Sequence, residues 1–302
     1  MPRVEWRFEE RDCPICGEDR ATSIRLGRRG GAAHHLALGC ETGIVRCRRC
    51  HGVYPLPTPL PEGNPYLDHE AEVYFRGHDS TGKVAVGEEL ARQAERILGS
   101  KGRLLEIGCG RGELLRGAAN SGWVVHGIEM TETFAHIAKT EFDVAVEVSP
   151  AETATALREE WDAVVLVAIL EHVYEPLALL AQVREALRPG GVVFIDVPNE
   201  CSLYARMGNL YLRLTGRDWA VNLSPTFPPF HVVGFCRASL KWALATTGLS
   251  PVRFELYKME SCLTPRSGSV RARLEAVGLR ASLAVGHVLG MGAGITCWAR
   301  RS

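Results

Sequence analysis

Arg103-Leu-Leu-Glu-Ile-Gly-Cys-Gly-Arg-Gly-Glu-Leu-Leu115 is the most informative stretch of this 302-residue chain. Its apolar run, bounded by Gly102 and Gly108, predicts a short buried parallel strand. The alternating glycines predict a tight turn, because glycine adopts positive φ angles and lets a ligand approach the main chain. Glu113 begins a helix whose free N–H groups point at that turn. The stretch therefore predicts a ligand site between a strand and a helix.

Acidic residues distinguish this turn from a dinucleotide-binding loop. The dinucleotide fingerprint G-x-G-x-x-G has a third glycine where this chain has Glu113. A carboxylate there would repel a pyrophosphate at the helix N-terminus, whereas Glu106 in the strand suits a ligand with a cationic amine. Glu129 ends the next apolar run and can accept both hydroxyls of a ribose. An amine and a ribose without phosphate describe S-adenosylmethionine (SAM).

Four motifs in this order resemble those of the class I SAM-dependent methyltransferases. They are Leu105-Glu-Ile-Gly-Cys-Gly-Arg-Gly112, Gly127-Ile-Glu-Met130, Trp161-Asp-Ala-Val-Val-Leu-Val-Ala-Ile-Leu-Glu-His-Val-Tyr-Glu-Pro176 and Leu187-Arg-Pro-Gly-Gly-Val-Val-Phe-Ile-Asp-Val-Pro198. The resemblance implies a Rossmann-like α/β fold with a seven-stranded sheet, SAM as cofactor and methyl transfer as activity. The residues expected to bind the cofactor are Glu106, Gly108, Cys109, Gly110, Gly112, Glu129, Met130, Glu152, Ala168 and Ile169.

Strands and helices are predicted to alternate along most of the chain. The apolar runs predict strands near 103–107, 123–128, 143–148, 162–168 and 192–197. Helical spacing predicts helices near 84–98, 112–121, 131–140, 151–160 and 175–188. This alternation indicates βαβ units and a parallel sheet. The last elements are predicted to be a helix over 237–247 and strands over 252–257 and 294–300.

Two C-x-x-C pairs near the amino terminus predict a metal site. Cys13 and Cys16 form the first pair and Cys47 and Cys50 the second, with 30 residues between the pairs. Each pair can place two thiolates on one turn, which suits tetrahedral Zn²⁺ in a structural site. The separation exceeds the roughly 15–20 residues usual in short zinc ribbons. Four buried or redox-active cysteines without metal are the alternative.

The chain is expected to have three parts: a zinc-ribbon-like module (1–54), a linker and pocket-covering segment (55–82), and a methyltransferase domain (83–302) with an insertion at 199–231. The linker begins with the proline-rich Tyr54-Pro-Leu-Pro-Thr-Pro-Leu-Pro61, which predicts a stiff, extended segment. In the resembled family the segment before the core often covers the SAM pocket, so Tyr74 and Arg76 are candidate contacts.

The insertion is rich in aromatic residues, and insertions at this place build the acceptor pocket in the resembled family. Tyr204 and Trp219 are candidate acceptor contacts, with an ordinary apolar helical lid as the alternative. His231 resembles the family's histidine in a His-x-x-x-Phe segment. It is the candidate acceptor contact and general base, because histidine accepts a proton near neutral pH. For His172, fixing a loop is as consistent with the sequence as binding a ligand.

Composition limits the classes of partner. Lysine plus arginine and aspartate plus glutamate both number 35, so no global charge attracts nucleic acid or a membrane, although a local patch can. The charged N-terminus does not resemble a signal peptide. The apolar stretch 281–298 is interrupted by His287 and four glycines. We therefore expect a cytoplasmic protein without a membrane partner.

The leading prediction is methyl transfer to a small molecule, with a nucleotide-linked sugar or other polysaccharide or secondary-metabolite precursor as acceptor. The first alternative is methylation of ribosomal RNA, because some rRNA methyltransferases carry an N-terminal four-ligand zinc module. The second alternative is a partner-binding protein without catalytic activity, and the presence of Glu106, Gly108, Gly110 and Glu129 argues against it. The sequence does not indicate the oligomeric state.

Overall fold

The computed structural model of the chain describes residues 5–34, 37–63, 80–257 and 270–302. The two residues predicted to cover the SAM pocket, Tyr74 and Arg76, lie outside these ranges. None of the helices within them combines the length and the apolar content that a bilayer-spanning helix requires.

Five short strands form the amino-terminal part of the structure. They are β1 (Trp6–Glu9), β2 (Ile24–Arg29), β3 (Thr42–Arg46), β4 (Val53–Leu56) and β5 (Thr58–Pro61). Strands β2, β3 and β4 form an antiparallel sheet, and β1 pairs with β5. The proline-rich segment is extended as predicted, but it provides β4 and β5. Prolines are tolerated there because both strands lie at sheet edges.

A seven-stranded sheet forms the centre of the molecule. Its strands are β6 (Arg103–Ile107), β7 (Val124–Glu129), β8 (Val146–Val148), β9 (Trp161–Val167), β10 (Leu187–Pro198), β11 (Leu249–Tyr257) and β12 (Gly294–Arg301). The strand order is β11-β12-β10-β9-β6-β7-β8, and only β12 runs antiparallel to its neighbours. The order reverses between β6 and β9, where ligands bind in open α/β sheets. The predicted Rossmann-like α/β fold is confirmed.

The described helices are α1 (Ser80–Leu98), α2 (Glu113–Asn120), α3 (Glu132–Glu141), α4 (Pro176–Ala186), α5 (Leu203–Leu214), α6 (Arg237–Thr246) and α7 (Val270–Val288). The helix predicted over 151–160 is wrong, because two short 3₁₀ turns stand there, Ala151–Thr153 and Thr155–Arg158. The Glu147 carboxylate accepts the backbone N–H groups of Thr155 and Ala156 at 2.7 and 2.8 Å, so these amides do not enter an α-helix.

Alternate residues of the central strands fill two cores, one on each face of the sheet. Leu105 packs with residues of α4 and α6, whereas Leu104 packs with residues of α1 and α2. The first core continues into the amino-terminal part, because Ile15 and Tyr54 are buried in the same cluster as Leu105. The amino-terminal part therefore shares a hydrophobic core with the central sheet and is not connected to it through the chain alone.

The segment between β10 and α6, which contains the insertion, pairs with both edges of the amino-terminal sheet. At one edge, Val53 and Gly234 exchange two backbone hydrogen bonds of 2.9 and 2.7 Å. At the other, the Arg28 N–H donates to Asp218 at 3.0 Å and the Ala220 N–H donates to Arg28 at 3.1 Å. The segment between β10 and α6 and the amino-terminal sheet thus form one hydrogen-bonded unit.

Candidate functional site

The carboxylate of Glu129 is held in place at the carboxyl end of β7. The Gly110 N–H donates to its Oε2 at 2.9 Å, and the Thr131 N–H donates to its Oε1 at 2.9 Å. The residue is buried, so few orientations are open to it. Each oxygen keeps a further lone pair. A fixed carboxylate beside a glycine turn can therefore accept two more hydrogen bonds, as the hydroxyls of a ribose would offer.

The glycine turn requires glycine at its first position for two reasons. Gly108 has a φ of 70°, and a Cβ there would collide with the Ile169 side chain. The N–H groups of Gly108 and Cys109 donate to the Ile128 carbonyl oxygen at 2.8 and 3.1 Å. The turn is thus anchored to β7, and Ile169 closes over it.

Two residues of the turn serve packing. Gly112 has a φ of 82°, and a Cβ there would lie 3.0 Å from the Ala138 Cβ, so glycine allows α2 to approach α3. The Cys109 side chain is buried beneath Gly127, where an added Cβ would collide with its Sγ, and burial raises the pKa of its thiol. A ligand in the turn would therefore meet the backbone of Cys109 rather than its sulfur.

Glu106 supplies the second acid of the site. Its side chain is 3% exposed, and its Oε2 has no hydrogen-bond partner among the described residues. Burial raises the pKa of this carboxyl well above its usual value, while Lys83 acts in the opposite direction. A buried oxygen without a partner is costly unless a proton or a ligand satisfies it. The site therefore fits a ligand with an ammonium group.

Loops after β8 and β9 complete this end of the sheet. Ala168 has a φ of 53°, and its N–H donates to the Asp196 carbonyl oxygen at 3.0 Å, which turns the chain so that Ile169 reaches Gly108. Met130 follows Glu129 and is half-buried. Glu152 is exposed, and the Ser149 N–H of the same loop donates to the Glu129 carbonyl oxygen at 3.1 Å.

A second cluster lies beyond β9 and joins an acid to two histidines. The His231 Nε2 is 4.0 Å from the Glu171 Oε1, and the His172 and His231 ring centroids are 4.8 Å apart. The N–H groups of Val232 and Val233 donate to the Glu171 carbonyl oxygen at 2.7 and 3.1 Å. These bonds hold the end of the insertion against the β9 loop, so His231 is brought to the site from 60 residues away.

Burial keeps the three side chains of this cluster uncharged near neutral pH. It raises the pKa of Glu171 to about 8. Burial lowers the pKa of His172 to about 4, although hydrogen bonds to the backbone of Phe230 and Pro229 act to raise it. Burial also lowers the pKa of His231 to about 3. A neutral imidazole has a lone pair that can accept a proton. One ligand atom of each side chain lies within 4.8 Å of the others, a spacing that also suits a cation.

The sequence interpretation assigned Glu171 to a family motif without giving it a function. Its burial and its distance from His231 depend on how the insertion folds back, and no local pattern reveals this. The acid-then-histidine pair after a predicted strand was the available signal. Glu200 was missed for the same reason: it is buried, burial raises its pKa to about 8, and the Asn222 side chain donates to it at 3.3 Å.

The two aromatic candidates of the insertion occupy different surroundings. Tyr204 lies half-buried on α5. Trp219 packs edge-on against His34 with ring centroids 5.3 Å apart, and the Arg28 guanidinium is 5.8 Å from its ring. The structure therefore brings His231 to Glu171 and places Trp219 against the amino-terminal part.

The four paired cysteines converge in the amino-terminal part. The Sγ atoms of Cys13 and Cys50 are 3.6 Å apart, those of Cys16 and Cys47 are 3.5 Å apart, and all four lie within 4.8 Å of one another. Zinc–sulfur bonds of about 2.3 Å place tetrahedral sulfurs about 3.8 Å apart. The donor set therefore fits a closed Zn²⁺ site. His51 is exposed and is not part of this cluster.

The amino-terminal part touches both segments that carry the acid–histidine cluster. The Tyr174 hydroxyl donates to the Pro59 carbonyl oxygen at 2.8 Å, two residues after His172. Gly234, three residues after His231, pairs with Val53 as described above. The cysteine cluster is thus connected through short backbone segments to Glu171 and His231.

Comparison with known proteins gives one family. A model of the methyltransferase domain matches residues 78–253. The ubiquinone biosynthesis O-methyltransferase of Pseudomonas syringae pv. tomato is 31% identical over 130 residues, which cover 41% of this chain and 53% of that protein. The protein of the same name from Dinoroseobacter shibae is 32% identical over 102 residues, covering 32% and 41%. The chain spans about half the length of the curated relatives it matches.

A solved structure shares the fold. A SAM dependent methyltransferase from Archaeoglobus fulgidus aligns with 78% of this chain and 100% of its own, with a TM-score of 0.50 and 20% identity.

Proposed function

We propose, since this chain belongs to the methyltransferase domain family, that it transfers the methyl group of SAM to a hydroxyl of a small molecule. The observation that carries the proposal is the carboxylate of Glu129, fixed by the N–H groups of Gly110 and Thr131 at the turn after β6. Such a carboxylate suits a nucleoside and repels a pyrophosphate.

The cofactor site is assigned to the strand ends around this turn. Glu129 would accept the ribose hydroxyls, and Glu106 would accept the ammonium group. Ile169 and the backbone at Gly108 would contact the rest of the nucleoside. SAM, when bound, supplies a methyl group on a sulfonium leaving group. The protein's own contribution is therefore orientation of the acceptor and exclusion of water.

His231 is the proposed general base and the proposed acceptor contact. Burial keeps its imidazole neutral, so a ring-nitrogen lone pair is available to an acceptor hydroxyl, and the same burial makes His231 a weaker base than an ordinary histidine. Glu171, with its pKa raised to about 8, is the positioning residue beside it. Tyr204 on α5 is proposed to line the acceptor side. Trp219, which packs on the amino-terminal part, is proposed to act there by shaping the insertion.

The names of the two relatives support oxygen as the methylated atom and a small molecule as the acceptor. The finer proposal for the acceptor is a nucleotide-linked sugar or another polysaccharide or secondary-metabolite precursor. In the amino-terminal part, Cys13, Cys16, Cys47 and Cys50 are proposed to hold one structural Zn²⁺. The proposed parts are a zinc module over 1–54, a covering segment over 55–82 and a methyltransferase domain over 83–302.

The test is transfer of a radiolabelled methyl group from SAM to three kinds of acceptor: nucleotide-linked sugars, phenols and ribosomal RNA. We expect label on a hydroxyl compound, and loss of that label in Glu129→Ala. Label on the RNA alone would establish the RNA alternative in its place. Protein that binds SAM with no label in any acceptor, even from cell extract, would support the non-catalytic alternative.

A further inference from the structure

Helix α5 carries an apolar stripe that faces solvent. Met207, Leu210 and Leu214 follow the spacing i, i+3, i+7 and so share one face of the helix. The first two are about half exposed and Leu214 is 78% exposed. Ala205 lies on the buried side. An amphipathic helix of a globular protein usually turns such a stripe inward, and α5 does the reverse.

Helix α7 carries a second stripe of the same kind. Val277, Val285 and Val288 share a face because they are spaced by eight and three residues. All three are exposed, and Val288 is 82% exposed. Leu283 on another face is 4% exposed and packs inward. The helix therefore has a buried face as well as an exposed apolar stripe.

The two helices are neighbours. They pack against each other, and the N–H of Leu203 at the start of α5 donates to the Met291 carbonyl oxygen at 3.1 Å, just beyond the end of α7. A Cβ at Gly286 would lie 3.0 Å from the Leu203 Cβ, so the contact is close. We call the exposed stripes together the α5–α7 surface, made of Met207, Leu210, Leu214, Val277, Val285 and Val288.

The charges on these helices are mainly positive, with five arginines against one acid, Glu275, near the start of α7. Arg206 and Arg213 on α5 and Arg280 on α7 are exposed. Neither α5 nor the 277–288 part of α7 contains an aspartate or a glutamate. A partner that matches the α5–α7 surface therefore has a broad apolar area with negative charges around it. A bilayer with anionic head groups has both properties.

In contrast to the expectation from composition, we propose that the α5–α7 surface binds the face of a membrane that contains anionic lipid. The stripes enter the boundary between head groups and acyl chains, and the arginines contact the phosphates. A second copy of the chain fits less well, since a two-fold contact through this surface would bring its arginines together, and the two helices contain one carboxylate, Glu275, against five arginines. The proposal concerns attachment of the protein and does not depend on methyl transfer.

The test is co-sedimentation of the full chain with vesicles of phosphatidylcholine, prepared with and without phosphatidylglycerol. We expect binding to the anionic vesicles and at least about tenfold weaker binding to the neutral ones. The double variant Leu214→Glu/Val288→Glu is expected to lose binding about tenfold or more. Arg206→Gln/Arg280→Gln should lose a comparable factor.

The matched control is Val124→Glu, at a valine that is 65% exposed at the start of β7, and it should bind as the wild type does. Circular dichroism verifies that each variant is folded. Wild-type protein that stays in the supernatant with anionic vesicles would overturn the proposal. So would equal sedimentation of all variants, or light scattering showing a dimer that Leu214→Glu/Val288→Glu separates while vesicle binding is unchanged.

Discussion

The backbone N–H of Gly110 donates a 2.9 Å hydrogen bond to Oε2 of Glu129. This bond ties the turn after β6 to the acid that ends β7, so both parts of the proposed cofactor site are positioned together. Hydrogen bonds to a charged group contribute about 1.5–3 kcal/mol each. Losing the carboxylate therefore affects the shape of the turn and its affinity for a ligand at once.

Glu129→Ala should weaken SAM binding by a factor of about ten to a hundred, because the ribose acceptor and the support of Gly110 are both lost. The measurement is calorimetric titration of wild type and variant. Glu132→Ala, three residues on and exposed, is the control and should bind normally. Wild-type affinity in Glu129→Ala would show that this acid does not hold the cofactor.

Glu171 should make the stability of the protein depend on pH. Its pKa is raised to about 8 when folded, against an ordinary value near 4.5, so the folded state holds the proton more tightly. This stabilisation is complete below about pH 4.5 and is lost as the pH rises through about 8. Glu171→Gln should remove that loss, which is on the order of 2–5 kcal/mol in the free energy of unfolding.

The measurement for Glu171 is urea unfolding of wild type and Glu171→Gln at several pH values. Glu141→Gln, at an exposed glutamate, is the control and should follow the wild type. Identical pH dependence in wild type and Glu171→Gln would mean that Glu171 is not held as a neutral acid.

His231→Ala should reduce turnover by about a hundredfold to ten-thousandfold, with SAM affinity within a factor of two or so of wild type. The base must be neutral to act, and burial lowers the pKa of His231 to about 3. Protonation of His231 should therefore not reduce turnover between about pH 5 and 7, where a histidine of ordinary pKa would already be protonated. The pH profile of kcat measures this. A folded His231→Ala protein with full turnover would exclude His231 as the base.

Replacing Cys47 by serine should remove the bound zinc and lower kcat more than SAM affinity. Strand β4 follows Cys47, and its Val53 pairs with Gly234, three residues after His231. Loss of the zinc site should therefore disturb the position of the proposed base more than the SAM site. Metal analysis and steady-state kinetics measure the two effects. Cys40→Ser is the matched control, because Cys40 is exposed and lies outside the sulfur cluster. Zinc retained in Cys47→Ser, or lost equally from Cys40→Ser, would refute the assignment of the ligands.

Local patterns predicted the central sheet and the position of the glycine turn well. The conformations of the apolar run at 103–107 and of the glycine turn after it are set by residues close in sequence. Sequence spacing was therefore sufficient to place β6 and the turn. The helix predicted over 151–160 failed because Glu147 captures two backbone N–H groups of that segment. That competition comes from a side chain outside the segment, which helical spacing does not register.

Long-range pairing could not be predicted in the same way. The bonds between Val53 and Gly234 join residues far apart in the chain, and spacing within either segment gives no sign of them. The altered pKa of Glu171 likewise depends on burial by several segments at once. His231 was chosen from a motif, and its neighbour Glu171 became evident only from the packed structure.

The most direct test of the cofactor assignment is calorimetric titration of the purified wild-type chain with SAM, its demethylated product and a nicotinamide dinucleotide. We predict that the first two bind at one site per chain and that the dinucleotide gives no heat of binding. Glu106→Gln should reduce the binding free energy of SAM by more than it reduces the stability of the turn. Binding of the dinucleotide, together with no detectable binding of SAM, would contradict the assignment of SAM as cofactor.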